Sequence, residues 1–356
     1  MIRRSPVRVQ PARASRTQRF APRPDAQGAA PEPRGGRYAH GMDLPAGYEL
    51  RAPAPDDLEA VADVFIADDL DDAGQIVLDA DFLRDEWSKA AFDLATDAWV
   101  IVDGGGAIVA YGQAMREGPN VVESLGIVRP DNRNRGLGSS LLDRIEERAT
   151  QLLDGLPAPR FRHAINAGDR AAATMLQARG LRPVHHFWHM GIDLDGAVEP
   201  GRSPEGIEIS GIEPHQDLPV AHAVLAEAFA GDRSYHPEPF DRWAEEQTSS
   251  PSYDPTLWLL AKDGGTPVGA LTASVLGGCG WVGEVGVLAP HRGRGIGVAF
   301  LRRSFATFGR RGHRRVMLNV DAENPTRATA LYERVGMRVV KRWDEWERSS
   351  EGSSSS

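Results

Sequence analysis

An apolar stretch followed by a helical pattern dominates the C-terminal third of this chain. Residues Val282 to Leu288 are apolar or glycine apart from Glu284, which predicts a strand. After a short glycine segment, apolar residues recur at the spacing of one helix face. These positions are Ile296, Phe300, Leu301, Phe305 and Phe308. The pattern therefore predicts a strand, a glycine-rich turn and an amphipathic helix.

The glycine segment between these two elements is suited to hold an anion. It runs from Arg292 to Gly297 and has glycine at alternate positions. Glycine lets the backbone turn successive amide groups toward one point, and the start of a helix adds partial positive charge. We therefore predict a cradle for a pyrophosphate. The segment matches neither the P-loop nor the dinucleotide-binding fingerprint, which disfavours nucleotide hydrolysis and dinucleotide binding.

The chain also repeats itself. Trp99 and Trp258 are separated by 159 residues, and so are Arg133 and Arg292. Each copy predicts a strand, one or two helices, three meandering strands, a helix, a strand, a helix and a strand. The predicted fold is α/β, with two consecutive domains that each have a mixed, mostly antiparallel sheet flanked by helices. The predicted parts are a tail at 1–41, domains at 42–195 and 205–348, a linker at 196–204 and a second tail at 349–356.

Composition and charge narrow the choice of partners. The formal net charge is −9, yet residues 1–41 carry nine Arg and two acidic residues, so 32 basic and 48 acidic residues remain. An acidic body argues against non-specific binding to nucleic acid or anionic membranes and would attract cationic small molecules. The first 41 residues have few large apolar side chains and predict a disordered basic tail. Translation starting at Met42 is an alternative account of that tail.

The single cysteine, Cys279, excludes an internal disulfide framework and a cysteine-based zinc site, and we predict no metal. No apolar run approaches the ~20 residues that a membrane span needs. The N-terminus lacks the apolar core of a signal peptide. These features predict a cytoplasmic protein.

Two motifs in the second copy resemble the GNAT acetyltransferase superfamily. Arg292-x-x-Gly295-x-Gly297 after a strand resembles the acetyl-CoA loop of that family. A second set of residues follows in the family's order and spacing: Leu318, Asn319, Val320, Asn324, Ala328, Leu331, Tyr332, Gly336 and Met337. The duplication is similar to that of tandem actinobacterial GNAT acetyltransferases, the group that includes mycothiol synthase, and the resemblance covers roughly residues 47–348.

The resemblance implies acetyl-CoA as cosubstrate. The backbone around Val287 and Leu288 would bind the pantetheine arm, and the amides from Arg292 to Gly297 would hold the pyrophosphate. Asn324 would hold the donor's arm or cap the last helix. The implied cofactor-binding residues of the second copy are Val287, Leu288, Arg292, Gly293, Arg294, Gly295, Ile296, Gly297, Asn324 and Tyr332. Their counterparts in the first copy are Arg133, Gly136 and Gly138.

The resemblance also predicts which copy is catalytic. Tyr332 stands four residues before Gly336, where the family has a tyrosine that returns a proton to the CoA thiolate; a core tyrosine is the alternative. The first copy has Leu176 there, and Asn134 in place of Gly293. We therefore predict a catalytic second copy and a degenerate first copy that binds CoA or helps build the acceptor cleft.

The general base is less simply predicted. The family's glutamate position, six residues before Val287, is occupied by Trp281. Glu284 is the candidate base, although a regular strand would aim it at the opposite face, so a β-bulge is needed to redirect it. A strand residue paired with a neighbour is the alternative role.

The implied function is acetyl transfer to a primary amine of a small molecule or peptide, in a direct ternary complex. Acidic residues in the first helices of each copy suggest a cationic acceptor, with solvated helix faces as the alternative. These residues are Asp68, Asp69, Asp71 and Asp72 in the first copy, and Glu227, Asp232, Glu238, Asp241, Glu245 and Glu246 in the second. A non-catalytic acyl-CoA sensor is the competing function. The internal duplication is compatible with a monomer or a homodimer.

Overall fold

The computed structural model describes residues 44–349, apart from 74–75, 77, 79, 90–91, 118, 197, 231–237, 277 and 324–327. The predicted tails at 1–41 and beyond Ser349, the alternative start at Met42, the ligand candidate Asn324 and the acidic candidate Asp232 therefore lie outside the described residues.

The first copy, called the N half, follows the predicted order of elements. Its strands are β1 (Tyr48–Arg51), β2 (Ala98–Asp103), β3 (Ile108–Glu117), β4 (Val121–Val128), β5 (Arg160–Asn166) and β6 (Arg182–Asp193). Its helices are α1 (Leu58–Ala73), α2 (Ala80–Trp87), the one-turn α3 (Leu94–Asp97), α4 (Leu137–Leu153) and α5 (Arg170–Ala178).

The second copy, called the C half, repeats that order. Its strands are β7 (Ile207–Gly211), β8 (Leu259–Asp263), β9 (Thr266–Leu276), β10 (Cys279–Val287), β11 (Arg315–Asp321) and β12 (Arg338–Ser349). Its helices are α6 (Pro214–Phe229), α7 (Phe240–Ser249), α8 (Ile296–Arg310) and α9 (Ala328–Arg334). The predicted helix face of α8 is confirmed, because all five of its apolar residues are buried.

The two halves exchange their last strands within one twelve-stranded sheet. The strand order is β1-β2-β3-β4-β5-β12-β6-β11-β10-β9-β8-β7. Thus β12 of the C half pairs with β5 of the N half, and β6 of the N half pairs with β11 of the C half. The strands β6 and β12 also pair with each other at the centre. Each half completes the sheet of the other, so the halves form one folded body.

The sheet is mixed and mostly antiparallel, as predicted. The parallel pairs are β4 with β5 and β10 with β11. Pairing of β10 with β11 covers only Gly280 to Val282, although β10 continues to Val287 and β11 to Asp321. The two strands therefore diverge at their C-terminal ends and leave a cleft. In the N half, pairing of β4 with β5 ends at Leu125 in the same way.

Helices cover both faces of the sheet. A Cβ added to Gly280 would lie 2.5 Å from Phe308 of α8, whereas one added to Gly286 would lie 2.9 Å from Leu225 of α6. The face that carries α8 and α9 is called the cofactor face. The face that carries α1 and α6 is called the acceptor face.

A buried ion cluster joins the halves on the acceptor face. The Lys341 ammonium of β12 lies 2.7 Å from an Asp69 oxygen and 3.0 Å from an Asp68 oxygen of α1, with only 1% of its side chain exposed. Burial disfavours the charged amine, but Asp69 and Asp68 outweigh it and raise the pKa of Lys341. The charged groups thereby connect α1 to the exchanged strand.

One predicted correspondence between the copies is wrong. The sequence spacing equated Asn166 with Asn324, but the strand ends equate Asn166 with Asp321. The Asn166 side chain accepts the amide of Gly168 at 2.8 Å, and the Asp321 side chain accepts the amide of Glu323 at 2.7 Å. Both side chains thus close the same type of turn at the end of a strand.

Candidate active site

The glycine loop of the C half has the backbone conformation that a cradle requires. Gly293 and Gly295 have positive φ angles of 78° and 86°, a region that costs glycine little. Gly295 is the N-cap residue directly before α8, and no side chain caps that end. The first backbone hydrogen bond of this helix is donated by the Ala299 amide to the Gly295 carbonyl. The amides of the preceding helical residues have no partner within the helix and remain available for a ligand.

The backbone amide of Arg292 is already engaged before the glycine loop begins. The Arg292 amide donates to the Ala289 carbonyl at 3.3 Å, closing a short turn before the loop. It therefore cannot contribute to the predicted set of pyrophosphate donors in this conformation. Gly297 has a packing role as well, because a Cβ there would lie 2.9 Å from Leu331 of α9.

The arginine side chains of the loop form structural contacts. Arg292 donates to the carbonyls of Val287 and Ala228, at 3.0 and 2.9 Å, and ties the end of β10 to the end of α6. Arg294 forms an ion pair with Asp263 at 2.5 Å. These contacts engage both guanidinium groups with the protein itself and stabilise the loop.

The first copy retains the shape of the loop. Asn134 replaces Gly293 and adopts a positive φ of 61°, and Gly136 follows at 84°. Asparagine is among the few residues other than glycine that enter this region readily. The guanidinium of Arg133 forms ion pairs with Asp68 and Asp71 of α1, at 2.8 and 2.7 Å. Loss of the first glycine has therefore not changed the local fold.

A β-bulge lies at Glu284. In its pairing with β9, β10 advances from Val282 to Val285 while β9 advances from Ala273 to Leu271, so β10 contains one extra residue. Gly280 and Gly286 consequently face opposite sides of the sheet. Glu284 shares the acceptor face with Trp281, beside the diverging ends of β10 and β11. The N half has no such bulge between β3 and β4.

Tyr332 occupies the core of the C half, in the helix that follows the cleft. Its side chain is fully buried in the cluster that contains Val285 and Ile296. No residue in the described part of the chain hydrogen-bonds its hydroxyl. Burial raises the pKa of Tyr332 well above its ordinary value, so the hydroxyl keeps its proton at neutral pH. Leu176, its counterpart, is also fully buried but has no proton to give.

The acceptor face carries polar and aromatic residues that the sequence did not identify as a site. His189 of β6 contacts Trp281 edge to face, with ring centres 5.6 Å apart. Lys341 lies over the ring of Trp343 at 4.4 Å. Burial, with Lys341 nearby, lowers the pKa of His189 to about 3 and keeps the ring neutral. The scarcity of lysine was an available signal, because Lys341 is one of three in the chain.

Within the described ranges, no helix is long and apolar enough to cross a membrane. No set of three or more His, Cys, Asp or Glu residues in those ranges is arranged to hold a metal ion.

A strand pair that opens into a cleft, a helix that starts at a glycine loop and a buried tyrosine behind them define an acyl-CoA-dependent acyltransferase. The chain belongs to the acetyltransferase (GNAT) family, whose model matches residues 222–337. Residues of the second copy thus carry the family match.

The relatives cover both halves. The mycothiol acetyltransferase of Cellulomonas flavigena is 32% identical over 257 residues, which are 67% of this chain and 71% of that protein. The mycothiol acetyltransferase of Streptomyces coelicolor is 30% identical over 241 residues, covering 65% and 73% of the two chains. The relatives confirm the resemblance to tandem GNAT enzymes.

Solved structures of GNAT proteins have the same fold as this chain. A GCN5-related N-acetyltransferase from Sphaerobacter thermophilus has 33% identity and a TM-score of 0.76, covering 86% of this chain and 97% of that one. A tandem GNAT protein from the clavulanic acid biosynthesis pathway shares the fold at 18% identity, with a TM-score of 0.62 over 86% and 100%. The chain is an acetyl-CoA-dependent N-acetyltransferase, and the alternative of a non-catalytic sensor is not favoured.

Proposed function

We propose that the C half transfers the acetyl group of acetyl-CoA directly to a primary amine bound on the acceptor face. The observation that carries this proposal is the buried Tyr332 hydroxyl, which lacks a hydrogen-bond partner among the described residues. Buried polar groups are seldom left unsatisfied without a functional reason. A thiolate leaving group beside this hydroxyl would supply the missing acceptor and receive its proton.

The cofactor would lie between the diverging strands. The amides from Gly293 to Gly297 bind the pyrophosphate, and the backbone around Val287 and Leu288 binds the pantetheine arm and polarises the thioester carbonyl. Asn324 remains a candidate contact to that arm. The positive end of α8 favours the anionic part of the ligand. With the donor held there, attack by a bound amine is an intramolecular step.

Glu284 is proposed as the general base. The β-bulge supports this role, because one extra residue in β10 turns Glu284 toward the acceptor face, from which an amine would approach. The neutral amine would then attack the acetyl carbonyl, and the CoA thiolate would leave and take the proton of Tyr332. The attacking nitrogen still carries one proton more than the amide product, and this second proton would return to the Tyr332 oxygen, so that only Glu284 ends the reaction protonated and passes its proton to solvent.

The two copies are proposed to have unequal roles. The C half, predicted at 205–348, is catalytic, while the N half, predicted at 42–195, is degenerate because Leu176 cannot protonate a thiolate. The retained loop around Arg133, Gly136 and Gly138 supports binding of CoA by the N half without turnover.

The acceptor is proposed to be a small-molecule amine, in keeping with relatives named mycothiol acetyltransferases. Asp68, Asp69 and Asp71 are paired with Lys341 or Arg133, which removes the support that they gave to a cationic acceptor. In the C half, Glu227, Asp241 and Glu245 remain as the source of any preference for a cation.

Thiol release from acetyl-CoA in the presence of an amine panel tests the reaction. We expect release that depends on an amine and yields the N-acetylated product, together with saturable CoA binding in calorimetry. The number of CoA molecules bound per chain reports whether the N half participates. Tight CoA binding with no turnover on any amine would contradict the proposal.

Substitution Glu284→Gln tests the base. We expect kcat/KM to fall by about 10²-fold or more, with loss of the acidic limb of its pH profile. Glu208→Gln, at an exposed position in β7, is the matched control and should leave both unchanged. A Glu284→Gln enzyme with the wild-type pH profile would exclude this role.

A further inference from the structure

A second group of buried charges lies on the acceptor face in the N half, outside the proposed catalytic site. The carboxylate cluster, as we call it, comprises Glu86 of α2, Glu123 of β4, and Glu345 and Glu347 of β12. Its cations are Lys89, which contacts Glu86, and Arg162 of β5. The exchanged strand β12 therefore brings two carboxylates of the C half to the N half.

One guanidinium group contacts three of the four carboxylates. One terminal nitrogen of Arg162 lies 3.5 Å from a Glu123 oxygen and 3.3 Å from a Glu345 oxygen. Its Nε donates to Glu347 at 2.8 Å. Glu123 and Glu345 thus face each other across a single cation.

Three carboxylate oxygens of this cluster accept no well-formed hydrogen bond from the residues that the structure describes, although Arg162 lies 3.5 and 3.3 Å from two of them. They are Oε2 of Glu86, Oε1 of Glu123 and Oε2 of Glu345. Glu86 and Glu345 are only 5% and 6% exposed, so water does not readily satisfy them. An unsatisfied buried acceptor is costly, and one on a carboxylate more so.

The carboxylate cluster also contains more negative than positive groups. Four carboxylates surround two cations, and Arg160 adds only a 3.7 Å contact to Glu347, with His185 near Glu345. Burial, reinforced by repulsion from Glu345, raises the pKa of Glu123 to about 8. Such a cluster gains stability either by keeping a proton or by taking up a cation.

The position of the cluster relates it to the active site of the C half. We align β4 with β10 through their pairing with β5 and β11. In this alignment Glu123 of β4 corresponds to Trp281 of β10. Val122 and Gly280 precede them on the cofactor face, and pair with Phe161 and Val316 at equivalent points of the two halves. The strands diverge just beyond, as they do in the C half. The cluster is thus located where an amine would approach the degenerate copy.

We propose that the carboxylate cluster is a second amine-binding site, which takes the primary ammonium group of a ligand. An ammonium group supplies the missing positive charge and three N–H donors, which suits an oxygen-rich cluster with too few donors. The cluster binds its ligand without transferring an acetyl group, because the N half has Leu176 in place of a proton donor. The site goes beyond the proposed catalytic function, and its occupancy does not depend on turnover.

Calorimetric titration with n-butylammonium chloride tests this site in the full-length chain. We specify pH 7, constant ionic strength, no CoA and a Tyr332→Phe background, so that failure of the catalytic proposal does not affect the result. Saturable binding is expected, with affinity at least about tenfold weaker in Glu123→Gln. Glu208→Gln, at an exposed position in β7, is the matched control and should retain this binding, while Glu284→Gln reports any binding at the catalytic acceptor site.

Proton release gives a second readout that a purely structural role would not change. Repeating the titration in buffers of different ionisation heat should show close to one proton released per ammonium bound, and none in Glu123→Gln. Glu123→Gln should melt no lower than its parent, because it replaces a buried acid with a neutral amide of the same shape. Equal affinity in Glu123→Gln, equal binding of n-butanol, or loss of binding only in Glu284→Gln would overturn the proposal.

Discussion

Tyr332→Phe is expected to lower kcat by about 10²- to 10⁴-fold, the range usually contributed by a general acid. The substitution removes only the hydroxyl, which lacks a partner in the described part of the fold. The thiolate would then leave without a proton. Because burial raises the pKa of Tyr332, the wild-type enzyme should keep this donor protonated well into the alkaline range.

Because the Tyr332 hydroxyl has no partner in the described residues, its removal distinguishes an effect on catalysis from an effect on folding. Removing a buried hydroxyl that has no partner should not lower the melting temperature, and acetyl-CoA affinity should change little. Tyr253→Phe is the matched control, because Tyr253 is a half-buried residue at the edge of the same core whose buried hydroxyl also lacks a partner within the described residues. An unchanged kcat for Tyr332→Phe across the pH range, or an equal loss for Tyr253→Phe, would exclude the acid role.

Neither half is expected to fold when produced alone. A fragment that ends at residue 204 leaves β5 without its neighbour β12, and a fragment that starts at 205 leaves β11 without β6. The fragment that ends at residue 204 also leaves Asp68 and Asp69 without Lys341, and one-sided loss of a buried ion pair typically costs about 3–5 kcal/mol. Unpaired edges of central strands further favour aggregation.

Circular dichroism and gel filtration of each fragment, alone and co-produced, measure this dependence. Co-produced fragments should assemble into a folded one-to-one complex that retains acetyl transfer. A protease site inserted between Glu199 and Pro200, which are exposed, is the control for chain connectivity. After cleavage the halves should remain associated and active. A folded, monomeric fragment from either half would contradict the exchanged arrangement.

The glycine loop shows what local sequence can predict. Positive φ angles at Gly293 and Gly295 follow from residue type, and the apolar spacing of α8 follows from helix geometry. Both are properties of neighbouring residues. The role of the Arg292 amide was missed because it depends on a short turn that precedes the loop.

The bulge at Glu284 was anticipated only as a requirement of the base hypothesis. Nothing in the pattern from Val282 to Leu288 specifies one extra residue, because β-strand alternation reads equally well in either register. The pairing with β9 decides it. That single insertion determines which face of the sheet Glu284 occupies.

The carboxylate cluster and the Lys341 ion cluster were not predicted. Their members come from helices and strands far apart in the chain, and a charged residue in an isolated pattern is more often a solvated one. The rarity of lysine pointed to Lys89 and Lys341, both of which form ion pairs with carboxylates that are largely buried. Composition alone could not distinguish that signal from coding bias.

By itself, the sequence determined the duplication, the order of elements, the α/β class, the conformation of the glycine loop and the difference between Tyr332 and Leu176, because each follows from local spacing. Only the tertiary structure decided that the two halves exchange β6 and β12, that Glu284 lies on the acceptor face and that Glu123 and Glu345 contact the same guanidinium group. The physical reason is that strands pair through backbone groups, which every residue shares, so the choice of partner depends on packing across the whole sheet.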